Sequence, residues 1–332
     1  MESDSAFHLI MGLKGVFILK TVEKKMSPVQ ELLEKKYNSG FLNRSEKIIP
    51  VVLFIMAAVS VLTTIGIVFT LIFETFTFFR DISLVEFFTA KEWYPFSESE
   101  ATYGILPLVI GTLKITAIAS LTAVPIGLGV AIYLSEYASD TVRKIMKPVL
   151  EVLAGVPTIV YGFFALTFVT PLLRSIFPSV EMFNAISPGI VVGIMIIPMI
   201  VSLSEDALSS VPQAVRQGSL ALGATKWETT WRVAMPAALS GILASIVLAI
   251  SRAIGETMIV TIAGGSTPTA SLDLTASLQT MTSYIVQVST GDAGFGTTIY
   301  YSIYAVGFTL FIFTLAMNVL AQRISKRFRE EY

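Results

Sequence analysis

The sequence predicts an all-α, polytopic membrane protein with six transmembrane helices. Three observations carry this: the composition, a set of long uncharged runs, and the placement of lysine and arginine. The 332 residues are 54% hydrophobic and 14% charged, with a mean hydropathy of +0.74, whereas a soluble domain carries roughly 25% charged residues. Five runs, 48–73, 115–135, 152–173, 182–204 and 295–322, contain no charged residue. Each reaches the roughly 20 apolar residues that a helix needs to cross a bilayer core. A sixth, 237–262, is broken only by Arg252 and Glu256. With the N-terminus inside, the inner segments hold 18 of the 23 Lys and Arg: 8 before residue 48, 3 in 136–147, 3 in 205–235 and 4 after residue 322. The outer segments hold 2 in 74–103, 1 in 174–187 and none in 263–294. Short cytoplasmic loops collect basic residues, so both termini are expected in the cytoplasm.

Taken in order, residues 1–47 form a cytoplasmic or interfacial segment. Its apolar stretch "AFHLIMGLKGVFILK" is short for a span, and no small-residue cleavage site follows it, so an interfacial helix is expected. Met26 opens "MSPVQELLEKKY" and offers an alternative start. Asn43-Arg44-Ser45 matches the glycosylation acceptor pattern but would be unused on the cytoplasmic side. The first span, 48–73, leads into an outer loop, 74–103, that holds Glu74, Asp81, Glu86, Glu92, Glu98 and Glu100. Such a loop repels free anions and suits a docking or capping surface. Residues 104–325 carry the remaining spans, with Pro125, Pro157 and Pro198 predicting kinks, and 326–332 form a cytoplasmic tail.

The inner loop 205–236 is too patterned for a tether. Pro212 divides its helical stretch in two, and Gly223 stands where a helix can end and the chain turn. Thr225-Lys226-Trp227-Glu228 has the spacing of a capping box, which starts a second short helix. Trp227 and Trp231, four residues apart, share a face. They suit either anchoring at the membrane surface or insertion into the groove of a partner.

This loop resembles the coupling segment of binding-protein-dependent ABC importer permeases, whose consensus is E-A-A, three residues, Gly, nine residues, then Ile-x-Leu-Pro. The same spacing reads Gln217-Gly218-Ser219, Gly223, and Val233-Ala234-Met235-Pro236, with Ala224, Thr225, Lys226, Trp227 and Glu228 in the intervening stretch. Gln217 replaces the usual glutamate, so a neutral hydrogen bond would take the place of a salt bridge to the ATPase. "GTLKITAIASLTAVPIGLGVAIYLSEYAS" and "EVLAGVPTIVYG" are similar to the opening and middle of the type I permease core. "ALGATKWETTWRVAMPAA" and "RAIGETM" are most similar to phosphate permeases of the PstC type.

Counted from Gly241 at about 1.5 Å per residue, Arg252 lies about 16 Å along its helix, near mid-bilayer, where a charge costs at least ~2.5–3.5 kcal/mol. Glu256, four residues on, would share its face. One reading has the two neutralise each other and hold helices in register. The other uses Arg252 as a planar fork for a tetrahedral oxyanion, with Glu256 orienting it and competing with the anion so that the site stays weak. Lys114 stands either as a further draw for anions or as a lysine reaching the outer interface. Ala253 and Gly255 would thin this helix face for packing against a second permease subunit.

Several chemistries are excluded. The chain has no cysteine and a single histidine, His8, near its start, so metal and thiol sites are not expected. A net charge of -1 supplies no basic field for nucleic acid. No phosphate loop of the G-x-x-x-x-G-K-[ST] kind occurs, no catalytic constellation is evident, and "GDAGFG" at 291–296 lacks the lysine and fits a turn. The resemblance implies that ATP and Mg are used by partners and that this chain binds no cofactor. It implies a prokaryotic cell membrane and its lipid, a PstA-like second permease subunit, two copies of a cytoplasmic ATPase, and an external phosphate-binding protein. A sulfate or molybdate permease, or a transporter acting without ATP, remains an alternative at this level.

Overall fold

The computed structural model of the chain describes residue 29 and residues 40–97, 101–291 and 293–327. The interfacial helix expected near the N-terminus, Glu98, Glu100 and residues 328–332 lie outside the described residues. Packing divides the chain into two units, Met1–Val68 and Phe69–Tyr332. The described residues are mostly helical. Among the described residues, five helices are long and apolar enough to cross a membrane, or six if one bent pair counts as a single span.

Helix α1, Gly40–Asp81, contains the first predicted span and runs past both of its ends. Within Met1–Val68, Thr63 and Thr64 donate their hydroxyls to the carbonyls of Val59 and Ser60 at 2.8 and 3.0 Å. Polar side chains satisfied one turn back cost little in lipid.

In the second unit, a short helix α2, Leu84–Thr89, and a two-stranded hairpin, β1 (Trp93–Tyr94) with β2 (Thr102–Tyr103), fold the loop after α1 into a cap. Phe78, Phe87, Trp93, Tyr103 and Tyr284 meet edge to face, with Trp93 and Tyr284 centroids 4.8 Å apart. Aromatic quadrupoles favour that geometry. The acidic loop read from the sequence is thus a packed lid, and Glu74 and Asp81 belong to α1 itself.

Helix α3, Leu106–Ile132, continues through a wider π turn to Tyr137 and packs against α7, Ile186–Ser209. A Cβ on Gly127 or Gly193 would stand 2.8 Å from the Ile200 side chain or 2.9 Å from that of Thr122. Small residues let the two backbones approach this closely, the usual basis of helix association in lipid. The buried core adds Ile115, Ala119 and Ala123 of α3 to Val192, Ile196 and Ile200 of α7. Hydroxyl pairs stitch α7 to its other neighbours: Ser204 with Ser245 at 2.6 Å, and Thr170 to Ser187 at 2.8 Å.

Two predicted spans differ from those observed. The run 152–173 is split: α4, Asp140–Gly155, ends before Val156-Pro157, and the crossing helix begins with α5, Thr158–Phe164, and continues through a π turn into α6, Thr170–Ile176. Pro157 lacks an N–H and forces Val156 into an extended conformation (ψ 128°), so the helix cannot run through. Helix α4 is an amphipathic segment carrying Arg143, Lys144, Lys147 and Glu151.

The run 237–262 is likewise not one helix. It consists of α11, Leu239–Ile254, and a short α12, Met258–Ala263, separated by Gly255-Glu256-Thr257. The break has a local cause. The Glu256 carboxylate accepts from the amides of Met258 and Ile259 at 3.1 and 3.3 Å, satisfying donors that an unbroken helix would have paired with carbonyls. Ala253 is only 2% exposed and packs in the core of its own chain, so it is not the contact for a second subunit expected from the sequence. Two further helices complete the fold: α13, Met281–Thr290, with a capping box at Thr280, and α14, Thr298–Arg327, which packs on α11 and bonds Ser251 through Asn318 at 3.0 Å.

Candidate functional site

Two groups of residues carry the candidate function: the patterned loop after α7 and the charges at the end of α11. The loop folds as its sequence predicts. Helix α8, Gln213–Ala221, starts after Pro212, and Gly223 turns the chain with φ +90°, a conformation that glycine adopts without strain. Helix α9, Lys226–Thr229, opens on a complete capping box: the Glu228 amide donates to Thr225 Oγ1 at 3.2 Å, and the Thr225 amide donates to Glu228 Oε2 at 2.9 Å. Ser219 and Thr229 join α8 to α9 through their hydroxyls at 2.9 Å.

The outer face of this loop is apolar and open. Leu222 is 91% exposed, and Trp227 and Trp231 form an edge-to-face pair with centroids 5.4 Å apart. Gln217, Gly218, Lys226 and Pro236 are exposed on the same segment, and Ala224 is partly buried.

Backbone and hydroxyl bonds from Thr225 hold the Glu228 carboxyl below the usual glutamate range. The cap's contribution is therefore full at neutral pH and is lost as pH falls through that lowered value. Thr225→Ala is expected to weaken α9 by about 1 kcal/mol. Faster amide exchange confined to residues 226–229 checks this.

The inner side of the loop is fixed to the bundle by charges that sequence reasoning missed. Arg216 is buried and pairs with Glu136, at the end of α3, at 2.9 Å. The same guanidinium donates to the carbonyls of Leu208 and Val211 at 2.6 and 3.0 Å, capping the C-terminal end of α7. Arg143 of α4 donates to the Leu134 carbonyl at 2.6 Å and to that of Ser135, closing the end of α3 in the same way. Lys226 lies 4.9 Å from the centre of the Tyr137 ring. The available signal was Glu136, a carboxylate directly after an uncharged run, but nothing local names its partner.

The loop passes into α11 without a tether. A π turn, Thr230–Ala234, and helix α10, Met235–Ala237, lead through Ala238 into α11. The segment Lys226–Ala237 meets α11 at 70°.

Arg252 stands in the last turn of α11. Its side chain is exposed, and it forms no ion pair within 4.0 Å among the described residues, Glu256 included. The expectation that the two charges share one helical face fails because the helix ends between them. Glu256, 8% exposed, is occupied with the amides that start α12. Arg252 instead lines a cavity of about 340 Å³ with Met195, Met199 and Ser202 of α7 and the pair Lys147–Glu205. An unpaired guanidinium at the wall of a cavity is a ready donor fork for an oxyanion.

Lys114 is not on this cavity. It is 7% exposed, and its Nζ donates to the Asp273 carbonyl at 2.8 Å, tying α3 to the segment between α12 and α13. A second cavity of about 530 Å³ lies at that end of the bundle, lined by Glu92, Trp93, Tyr94, Gln279, Tyr284 and Gln287 among others.

Comparison with known proteins agrees with this geometry. Residues 123–330 match the family described as the binding-protein-dependent transport system inner membrane component. The chain is 32% identical over 249 residues to the probable ABC transporter permease protein YqgH of Bacillus subtilis (strain 168), covering 74% of this chain and 79% of that protein. It is 33% identical over 258 residues to the phosphate transport system permease protein PstC of Xylella fastidiosa (strain 9a5c), covering 72% and 78% respectively. Among solved structures, a bacterial alginate ABC transporter superposes with a TM-score of 0.59 at 16% identity, covering 83% of this chain and 94% of that one. The inward-facing MetNI methionine ABC transporter gives 0.53 at 18% identity, covering 68% and 96%. At such identities the structural matches speak for the fold alone.

Proposed function

The chain belongs to the family of binding-protein-dependent transport system inner membrane components, and on that premise we propose that it is the permease subunit of an ATP-driven inorganic phosphate importer. The observation that carries the reading is one continuous connection: the exposed tryptophan face of α9 leads at 70° into α11, at whose far end stands an unpaired arginine on a cavity wall. Phosphate enters the proposal through the PstC relatives.

The lysine and arginine asymmetry supports placing both termini and the α8–α9 loop in the cytoplasm. There Gln217, Gly218, Ser219, Gly223, Ala224, Thr225, Lys226, Trp227, Glu228 and Pro236 form the docking and coupling segment for two copies of an ATPase. Those partners use ATP and Mg; this chain binds no cofactor. A PstA-like permease subunit completes the path, and an external phosphate-binding protein delivers the anion at the aromatic lid.

Arg252 is the anion-contacting group of the path. Glu256 acts through the backbone: by ending α11 it leaves Arg252 on the last turn, where the guanidinium is free of a partner. Lys114 is a positioning residue for the outer segment. Closure of the ATPases would move α9, and the 70° elbow would turn that motion into tilting of α11, so that the cavity alternates its access.

The test is uptake of labelled phosphate by proteoliposomes holding the full complex with its binding protein. Uptake is expected only with ATP inside and with the ATPase subunits present. Equal uptake without them would overturn the reading, and competition by sulfate or molybdate at equal concentration would reassign the anion.

A further inference from the structure

The cavity that Arg252 lines extends along one face of α7. Met195, Met199, Ser202 and Glu205 recur at helical spacing on that wall, and ten residues of helix rise about 15 Å. Ser245 meets Ser204 at 2.6 Å and Gly241 abuts Ala207, so α11 runs antiparallel to α7. Arg252, seven residues past Ser245, lies toward the Met195 end of this stripe, with the ion pair Lys147–Glu205 at the other. That pair is the closest salt bridge among the described residues, at 2.7 Å, and its two members differ sharply in exposure: the Lys147 side chain is 49% exposed and that of Glu205 only 4%. Glu205 Oε1 accepts a hydrogen bond from Ser209 at 3.3 Å, while Oε2, the atom that faces Lys147, is buried and has no hydrogen-bond partner beyond that ion pair. A buried carboxylate thus pins a half-exposed ammonium at the cavity wall.

A purely structural ion pair is a poor explanation for this arrangement. Removing a carboxylate from water is costly and is seldom repaid by a single partner half in solvent. The charge inventory of the cavity is also suggestive. Its lining holds two cations, Arg252 and Lys147, and two carboxylates, Glu151 and Glu205. Among the described residues Arg252 and Glu151 form no ion pair, and Lys147 is the remaining cation, already held by a competing anion.

We propose that Lys147 is a second anion-binding group, at the cytoplasmic end of the cavity, and that Glu205 competes with the passing anion for it. This rests on the phosphate-importer reading. An oxyanion leaving Arg252 meets Lys147 next, displaces the Glu205 carboxylate from part of its contact, and is released when that carboxylate returns. No bond is made or broken. The pair works as a latch that re-forms behind the anion, and its competing charge keeps the exit site weak.

The experiment uses the full complex in proteoliposomes with its binding protein. Lys147→Gln alone would strand a buried charge and could prevent assembly, so the decisive variant is the double substitution Lys147→Gln with Glu205→Gln, which leaves a neutral hydrogen-bonding pair. It is expected to assemble at wild-type yield and to lose phosphate uptake by roughly tenfold, the effect of one charge-assisted hydrogen bond. Glu205→Gln alone frees the lysine and is expected to slow turnover while lowering the phosphate concentration at half-maximal inhibition from the cytoplasmic side. Wild-type uptake by the double variant would overturn the latch and leave the importer reading standing. Absence of ATP-driven phosphate uptake by the wild-type complex would remove both. A phosphate-bearing lipid headgroup offers the same chemistry to Lys147. An uptake defect confined to vesicles containing an anionic lipid would assign the lysine to that headgroup and overturn the proposal, whereas a defect that persists in zwitterionic lipid supports it.

Discussion

Arg252→Gln in the assembled complex is expected to lower ATP-driven phosphate uptake by roughly a hundredfold or more, with the yield and thermal stability of the complex unchanged. Both halves of this expectation follow from the same geometry. Arg252 is exposed and makes no ion pair within this chain, so its removal leaves no buried carboxylate without a partner. What the proposed role would lose is a pair of charge-assisted hydrogen bonds to a tetrahedral anion, each worth about 1.5–3 kcal/mol. Arg252→Lys should recover only part of the activity, because an ammonium offers a point charge where the guanidinium offers a planar fork. Uptake assays on proteoliposomes, normalised to reconstituted protein, read the effect. Normal transport by Arg252→Gln would reduce the residue to a structural charge.

Arg216→Met is expected to act in the opposite way, through stability and coupling together. The guanidinium is buried, holds Glu136 at 2.9 Å and caps two carbonyls of the α7 terminus. Breaking a buried pair by removing one partner costs about 3–5 kcal/mol, since the remaining charge is stranded. The double variant with Glu136→Gln should regain part of that loss, the share owed to the stranded carboxylate, and leave the loss of the carbonyl caps. Thermal unfolding of the purified complex measures the first effect. The second is read as the ratio of phosphate transported to ATP hydrolysed, which should fall, because α8 would no longer move as one body with α3 and α7. An unchanged ratio would limit Arg216 to holding the fold.

These two arginines also show how differently the site was legible in the sequence. Arg252 stood out because a charge inside an apolar run is an anomaly at any rotation of the helix. Arg216 sits in a polar loop where charges are unremarkable, and its partner is 80 residues away. Glu256 was recognised and given the wrong partner. Spacing of four implies a shared face only if the helix continues, and the carboxylate itself supplied the acceptors that let the helix stop. Lys114 was read as either a pathway cation or an interfacial lysine, and nothing in the sequence signals its bond to the Asp273 carbonyl, 159 residues away.

The sequence by itself determined the class of fold, the spans within 48–73, 115–135, 182–204 and 295–322, and the shape of the loop between α7 and α11. Lipid leaves no alternative to helices where 20 or more uncharged apolar residues follow one another. The turn at Gly223 and the cap at Thr225 are local chemistry, complete within four residues of the chain. Tertiary structure alone decided the partners of the charges and the aromatic lid built on the segment after α1. Each depends on how helices are rotated and packed, which sets whether a carboxylate at 136 or 205 faces Arg216 or Lys147. Hydrophobic runs fix that a helix crosses the membrane. Only close packing of small residues between helices fixes which of its faces looks inward.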